Sequence, residues 1–433
     1  MAVQVNYFSD ESKRSHWRPW FVWLEGLFYF FQGFYLTGMQ TFLGVSMANF
    51  GLAMDQQANI SAMLGIPSYT KMFIGLLSDR LPFVRFGRRK PYIALGALLY
   101  VPAFALLLSM KQYGFWWIAA ALAAQLAWVM VDTTLDALTV DVTPQEYAGK
   151  MQGAAQGSRM AGMGLGILLV PIIGPAIGWS ATVAIIAIFA LLQAGAALAF
   201  REQPVNRTDF KDQLSLGVVL KRVVTRKLAW LGVIYSIFFM GSIGLSSIIS
   251  VYMLTELGWS QSPNLMAIYG TANLVHYGAA ALGSLLIGRF MAKYKNNQNF
   301  YAFIAILFWL SILPWFLVGN DAANTLWVYV AQFTYGMGRG MMTVLVYSIV
   351  MRICPKSIEG FMFATLTSAM NIGLYTITPK TMAYFTPKLG LAPSMFSVVP
   401  YTIIGLIALS MILTELNKTG EQETPRPATE EPA

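Results

Sequence analysis

Seven ionisable side chains stand inside long apolar runs of this sequence: Glu25, Lys71, Asp132, Asp136, Arg159, His276 and Arg339. A charge in the middle of a bilayer costs at least about 2.5–3.5 kcal/mol, so such a group faces a cavity or an opposite charge. Asp132 and Asp136 are four residues apart and share one face of a helix. Carboxylates so placed share and exchange protons, which suits a carrier that loads and releases them. Counted from the charged ends of their runs, Arg159 lies roughly 15 Å deep and Asp132 roughly 13 Å. Lys71 lies about 10 Å deep, Glu25 about 8 Å and Asp136 about 7 Å. Two readings stand together. Asp132–Arg159 and Asp136–Lys71 are ion pairs that hold helices together, or Asp132, Asp136 and Glu25 handle a coupling ion while Lys71 and Arg159 meet a substrate.

Arg339 is central in its run, within Tyr335-Gly-Met-Gly-Arg-Gly340, where small neighbours leave room beside the guanidinium. A guanidinium forks onto carboxylate or phosphate, so an anionic substrate group is one reading and a structural arginine the other. His276 is equally central, as a proton site or as a satisfied buried histidine. The first run carries Tyr29, Phe30, Phe31, Gln32, Tyr35 and Gln40. That stripe reads as packing, with Gln32 and Tyr35 as candidates to hydrogen-bond a solute.

The runs that position these groups number twelve, each long enough to cross about 30 Å. They cover 20–39, 56–78, 91–109, 115–140, 149–173, 179–200, 228–254, 265–290, 300–318, 325–351, 360–381 and 394–416. The expected organisation is an N-tail (1–19), a six-helix bundle (20–200), a polar linker (201–227), a second six-helix bundle (228–416) and a disordered tail (417–433). Composition agrees with an all-α integral membrane protein. Apolar residues make up 56% and charged residues 11%, against about 25% charged in soluble domains. The lone Cys354 rules out an internal disulfide framework, and the polar first nineteen residues are not expected to form a cleavable leader. All but six of the 29 Lys and Arg fall on one side of the resulting topology. Lys111, Lys380 and Lys388 lie opposite, and Lys71, Arg159 and Arg339 lie inside. That bias puts both termini in the cytoplasm.

The two halves repeat. The stretch from Thr143, TPQEYAGKMQGAAQGSRMAG, aligns with CPKSIEGFMFATLTSAMNIG from Cys354 at a constant offset of 211, pairing Pro144 with Pro355, Gly149 with Gly360 and Gly162 with Gly373. More weakly, Gly75–Arg80 pairs with Gly283–Arg289. Two parallel halves with a midplane site between them are a transporter architecture.

The hinge between the second and third runs, GLLSDRLPFVRFGRRK from Gly75 to Lys90, resembles the loop between helices 2 and 3 of the major facilitator superfamily, G-x-x-x-D-(R/K)-x-G-R-(R/K). Gly75, Asp79, Arg80, Gly87, Arg88, Arg89 and Lys90 hold those places, with six residues between Arg80 and Gly87 where the common form has one. The resemblance implies a cytoplasmic gate of Gly75, Asp79, Arg80, Arg88, Arg89 and Asp141, with Asp141 pairing to Asp79 and Arg88 or Arg89. Ser68-Tyr-Thr-Lys71, Pro82 and Gly87-Arg-Arg-Lys-Pro-Tyr92 look like the folate–biopterin transporters. Asp132, Asp136-Ala137 and Asp141-Val-x-Pro-x-Glu-x-x-Gly look like that family and the muropeptide permeases. The SDR…FGRRKPYI wording is also similar to glycoside–cation symporters. Ala148 departs from the pattern of many relatives, which have Arg there.

The expected function is therefore a secondary transporter, not an enzyme, in the cytoplasmic (plasma or inner) membrane, using alternating access to move a small organic solute, anionic and pterin- or folate-like. The alternatives are a glycoside–cation symporter and a non-transporting assembly protein on the same fold. The expected coupling ion is H+, with Na+ as the other choice. Expected partners are the solute and membrane lipids, with no cofactor, no metal and no nucleic acid, in a monomer.

Overall fold

The computed structural model describes residues 17–81, 87–199, 225–255, 257–259, 262–318, 325–354 and 359–423, with 217 and 221 besides. The calls on the N-tail, on Pro82 and on the linker lie largely outside these residues. Among the described residues the helices fall into twelve membrane-length stretches. The first half holds α1 (Phe21–Asn49), α2 (Met54–Leu64, Ile66–Tyr69 and Lys71–Arg80), α3 (Lys90–Ser109), α4 (Phe115–Val142), α5 (Ala148–Gly166, continued by Leu169–Ile173 and Gly174–Ile177) and α6 (Trp179–Ala199). The second holds α7 (Lys227–Ser242 and Ser246–Thr255), α8 (Pro263–Tyr294), α9 (Gln298–Leu310 and Trp315–Val318), α10 (Thr325–Ile353), α11 (Glu359–Ile372, Gly373–Ile377 and Thr378–Leu389) and α12 (Leu391–Met395, Phe396–Val398 and Val399–Glu423).

Six stretches are long and apolar enough to cross a membrane by themselves: 90–109, 115–142, 148–177, 263–291, 298–318 and 391–418. Of the others, α2, α7 and α11 are interrupted, α1 and α10 carry the polar side chains of interest, and α6 contributes an apolar stretch over Ala184–Ala199. Large apolar side chains face outward along the bundle. Trp20 and Trp23 stand exposed at the start of α1, and Phe115 and Trp116 at the start of α4, the opposite end. Amphipathic rings at both ends are what membrane interfaces select.

The expected boundaries shift in three places. Helix α1 runs ten residues past Met39, through Gln40, Thr41 and Ser46, with Thr41 and Ser46 buried against neighbours and Gln40 partly buried. Thr37 returns its hydroxyl to the Gly33 carbonyl at 3.0 Å. Helix α12 continues to Glu423, so the first residues assigned to the disordered tail are helical. The second run is broken at Gly65 and Thr70. Pro67 cannot donate a backbone bond, and the Tyr69 ring folds back over Gly65 to donate to Ala62 O at 2.9 Å.

The other breaks have partners for the backbone groups they free, as a lipid-embedded chain requires. In α7, Tyr335 donates to Ile243 O at 3.0 Å and Thr378 to Gly241 O at 2.5 Å. Helices α5 and α11 each widen to a π-turn, Leu169–Ile173 and Gly373–Ile377, just before Pro175 and Pro379. The repeat is thus visible in irregularities as well as in helices.

Within halves, helices approach through glycine. Gly162 and Gly166 lie against the Phe30 and Phe34 carbonyls, joining α1 to α5, and Gly373 lies against the Ile237 carbonyl, joining α7 to α11. Between halves, α5 packs along α8 and α2 along α11. Gly153 and Gly288 face each other so closely that a β-carbon on either would stand 2.9 or 2.8 Å from the other's Cα. A β-carbon on Gly75 would stand 2.9 Å from the Ala364 Cβ. Toward the other end, the Tyr69 and Thr376 hydroxyls lie 2.6 Å apart, and Gly270 abuts Pro171 and Ile172. The halves therefore meet on both sides of the charges between them.

Candidate transport site

Three helices of the first half bring the expected charges together. Asp132 and Asp136 lie one turn apart on α4, and Lys71 opens the last segment of α2. Its Nζ donates to Asp132 Oδ2 at 2.8 Å and to Asp136 Oδ2 at 2.9 Å. Arg159, on α5, pairs with Asp132 Oδ1 through Nη2. Lys71 is 1% exposed, Asp132 4%, Asp136 1% and Arg159 7%, so the knot is dry and its two cations balance its two carboxylates. Removing charges from water costs several kcal/mol per ion, and only close pairing with full hydrogen bonding offsets that.

Helix α1 completes the pairing. Gln32 donates to Asp132 Oδ1 at 2.9 Å and accepts from Arg159 Nη2 at 3.0 Å. Tyr29 donates to Asp136 Oδ1 at 2.7 Å. The Arg159 guanidinium lies over the Tyr29 and Trp128 rings, at 5.3 and 5.7 Å. Glu25 lies apart from this balance. It is 2% exposed, with the Thr139 hydroxyl 3.0 Å from Oε2, and makes no ion pair among the described residues. Tyr347, from α10 of the second half, stands within Coulombic reach of all four charges of the knot.

At one end of the bundle the hinge ties itself. Gly87, at φ +99, turns the chain through a region that favours glycine. Arg88 then reaches Asp79 Oδ1 at 2.5 Å. Arg89 is fully buried, with Nη2 2.6 Å from Asp79 Oδ1, Nε 2.9 Å from Asp141 Oδ2 and Nη1 2.5 Å from the Ser78 hydroxyl. Burial opposes its charge, but Asp141 and Asp79 outweigh burial and hold Arg89 above the ordinary arginine range. Helix α11 begins on this knot. A β-carbon on Gly360 would stand 2.9 Å from Arg89 Nη2 and 3.0 Å from Asp79 Oδ1.

A profile of the Major Facilitator Superfamily matches residues 20–376, with a second match over 269–432. The chain belongs to the major facilitator superfamily. It is thus a membrane transporter rather than an enzyme. Among relatives of this facilitator, the folate-biopterin transporter of Synechocystis sp. is 25% identical over 386 residues, which cover 83% of this chain and 72% of that protein. Among solved structures, the human organic anion transporter MFSD10 (TETRAN) superposes with a TM-score of 0.67 at 13% identity, over 91% of this chain and 100% of that one. That likeness speaks to fold.

The facilitator's candidate residues sort into three groups. Lys71, Asp132, Asp136, Arg159 and Gln32 form one knot, in which Lys71 bridges both carboxylates instead of serving Asp136 alone. Both ends of the Gln32 amide are engaged inside it, so Gln32 orients the knot. Asp79, Arg88, Arg89 and Asp141 form the second group, and Arg89 pairs with both Asp79 and Asp141. Gly75 contributes close packing, and Arg80 ends α2 half-buried at the rim.

Arg339 and His276 form the third group. Nη1 of Arg339 lies 2.9 Å from His276 Nε2, and the guanidinium lies 5.8 Å from the Tyr277 ring centroid. Arginine has only donors, so His276 accepts with Nε2. It serves as the orienting partner of Arg339 and lies apart from the carboxylates. Arg339 pairs with no carboxylate among the described residues. Sequence reasoning missed Thr139, Ser78 and Tyr347, and it treated Tyr29 as packing. Tyr347 had a signal, since the offset of 211 lays it on Asp136.

Proposed function

We propose that this transporter carries a small organic anion of the pterin or folate kind, coupled to protons, by alternating exposure of a site between its halves. Both termini face the cytoplasm in this reading, and the hinge knot is the cytoplasmic gate. The observation that carries it is the balanced, dry knot of Lys71, Asp132, Asp136 and Arg159, with Tyr347 of the other half within electrostatic reach. A proton arriving on either aspartate upsets that balance and leaves a cation in search of an anion, so proton and organic anion favour each other's entry. The lone charge of Arg339 and the likeness to a folate-biopterin transporter support the anionic class.

The test is uptake in proteoliposomes challenged with pterins, folates, glycosides and peptidoglycan fragments, with internal and external pH recorded. Pterin- or folate-driven proton movement, lost in Asp132→Asn or Asp136→Asn, is the expected result. Uptake without proton movement and unchanged in both variants refutes the coupling. A Na+ requirement replaces the ion, a glycoside signal replaces the substrate class, and no uptake of any solute moves the chain to an assembly role.

A further inference from the structure

Glu25 is a buried carboxyl that the knot leaves out. It is 2% exposed and pairs with no cation among the described residues. Around it, α4 brings Asp136 and Thr139, and α1 brings Tyr29. From α5 comes Arg159, whose guanidinium lies over the Tyr29 ring and is held by Asp132 and Gln32. Helix α6 carries no ionisable side chain. A carboxylate buried without a cation or a full set of donors is far more costly than a neutral carboxyl.

The hydrogens around Glu25 can be counted. The Thr139 hydroxyl lies 3.0 Å from Glu25 Oε2 and 3.0 Å from the Leu135 carbonyl, one turn back on α4. A hydroxyl has one hydrogen to give and two lone pairs. Both contacts are filled at once when Thr139 donates to Leu135 O and Glu25, as a neutral acid, donates to Thr139. Tyr29 stands next in line. Its hydroxyl donates to Asp136 Oδ1 at 2.7 Å and lies 3.4 Å from Thr139 Oγ1. Glu25, Thr139, Tyr29 and Asp136 thus form a chain of exchangeable hydrogens between α1 and α4. One end meets Lys71 of the knot, 2.9 Å from Asp136. The other end lies in the second turn of α1, beside Thr139, two residues before the Asp141 that Arg89 holds at the hinge.

We propose that Glu25 is the site from which protons leave, and that Tyr29 and Thr139 relay them to it from Asp136. The relay deepens the proton-coupled reading and rests on it. Asp136, carrying a proton, gives it to Tyr29 Oη; Tyr29 gives its own to Thr139 Oγ1; and Thr139, turned from Leu135 O, gives its own to ionised Glu25. One proton has moved, both hydroxyls are whole again, and the negative charge has passed from Glu25 to Asp136. That charge goes from a place without a cation to one beside Lys71, so transfer runs toward Glu25. The arrangement of Tyr29 donating to Asp136 and Glu25 donating to Thr139 is the state after transfer. The 3.4 Å link is longer than an ordinary O–H···O bond, which makes Tyr29 to Thr139 the step that waits. When the hinge end opens, water reaches Glu25 and takes the proton. The exit lies inside the first half, apart from the seam where the halves meet.

Two measurements on the full-length protein test the relay. Infrared difference spectra of wild type against Glu25→Gln, at neutral pH and without solute, should carry the carbonyl band of a neutral carboxyl. Thr139→Val should shift that band and Thr139→Ser should restore it. A difference spectrum that holds only carboxylate bands overturns the proposal. In proteoliposomes, uptake of pteroylglutamate driven by a proton gradient should fall at least about tenfold in Thr139→Val and return in Thr139→Ser. Exchange of internal for external pteroylglutamate at equal pH requires no net proton release, and in Thr139→Val it should change by less than about twofold. Driven uptake at the wild-type rate in Thr139→Val, or an equal loss of uptake and exchange, overturns the relay and leaves proton coupling standing. Wild type that moves no protons with pteroylglutamate or any other solute of the panel overturns the coupling, and the relay with it.

Discussion

The close approach of Gly153 and Gly288 makes the state of the gate open to a one-carbon test. In Gly288→Ala the new methyl stands 2.8 Å from Gly153 Cα and 3.1 Å from Gly149 O. Both are backbone atoms of α5, so no side chain can swing aside, and the helices must part by roughly 1 Å to restore ordinary contact. Overpacking of this kind costs about 1–3 kcal/mol. The cost falls on the arrangement in which α5 and α8 touch here and vanishes when this end opens. The ratio of open to closed forms should then rise roughly 5- to 150-fold. Ala364 is 2% exposed at the α2–α11 seam against Gly75, so Ala364→Cys in a Cys354→Ser background reports that opening. Its labelling by a membrane-impermeant maleimide, added to the hinge side, should accelerate by the same factor in Gly288→Ala. Gly278→Ala, on the same helix with nothing within 4 Å of its new methyl, is the control and should not change the rate. Equal labelling in Gly288→Ala and the parent, with both folded, refutes the view that this seam separates when the gate opens.

Three further outcomes are expected. Lys71→Met leaves two buried carboxylates with one cation and should destabilise the detergent-solubilised protein by about 3–5 kcal/mol, while adding Asp136→Asn should recover more than half of that in the same thermal unfolding assay. Gly87→Ala places a side chain at φ +99 and should cost about 1–2 kcal/mol in unfolding free energy, whereas Gly195→Ala, with open space around it, should cost nothing measurable. Arg89→Lys keeps the charge but cannot hold Asp79, Asp141 and Ser78 at once; the maleimide assay should show at least roughly tenfold faster labelling of Ala364→Cys.

Much of the architecture was legible because lipid imposes it. Runs of about twenty apolar residues, with cations gathered on one side, leave few alternatives to a helical bundle, and the offset of 211 exposed the repeat. The breaks were less legible. In α2 the break depends on Tyr69 folding over Gly65, a local event that apolar periodicity does not register. The extra ten residues of α1 depend on neighbours that bury Thr41 and Ser46. At the site, charge and depth marked Lys71, Asp132, Asp136 and Arg159 correctly as neighbours. Which cation served which carboxylate was hidden, because one residue of helical register decides it. Hydroxyl partners such as Tyr29, Thr139 and Ser78 carry no charge to advertise them and are ordinary residues in an apolar helix.

The repeat also explains why the charges lie where they do. Carrying the offset of 211 from α4 into α10 replaces Asp132 with Thr343 and Asp136 with Tyr347, and carrying it from α5 into α11 replaces Arg159 with Met370. The second half has therefore kept the geometry of the knot and none of its charge. Its polar centre is instead Arg339, with His276, and at the same offset Arg339 answers to Trp128, the ring under Arg159. Two halves built alike thus divide the work: in the proposed scheme the first trades protons and the second anchors the acid group. Tyr347 is the point where the division is bridged, since the counterpart of a knot aspartate stands within electrostatic reach of the knot. Rocking of one half on the other changes that separation, so in the proposed scheme the charge balance of the first half and the position of the second do not vary independently. In that scheme the mutual dependence is the physical content of coupling, with the link between proton and solute at the seam of the halves.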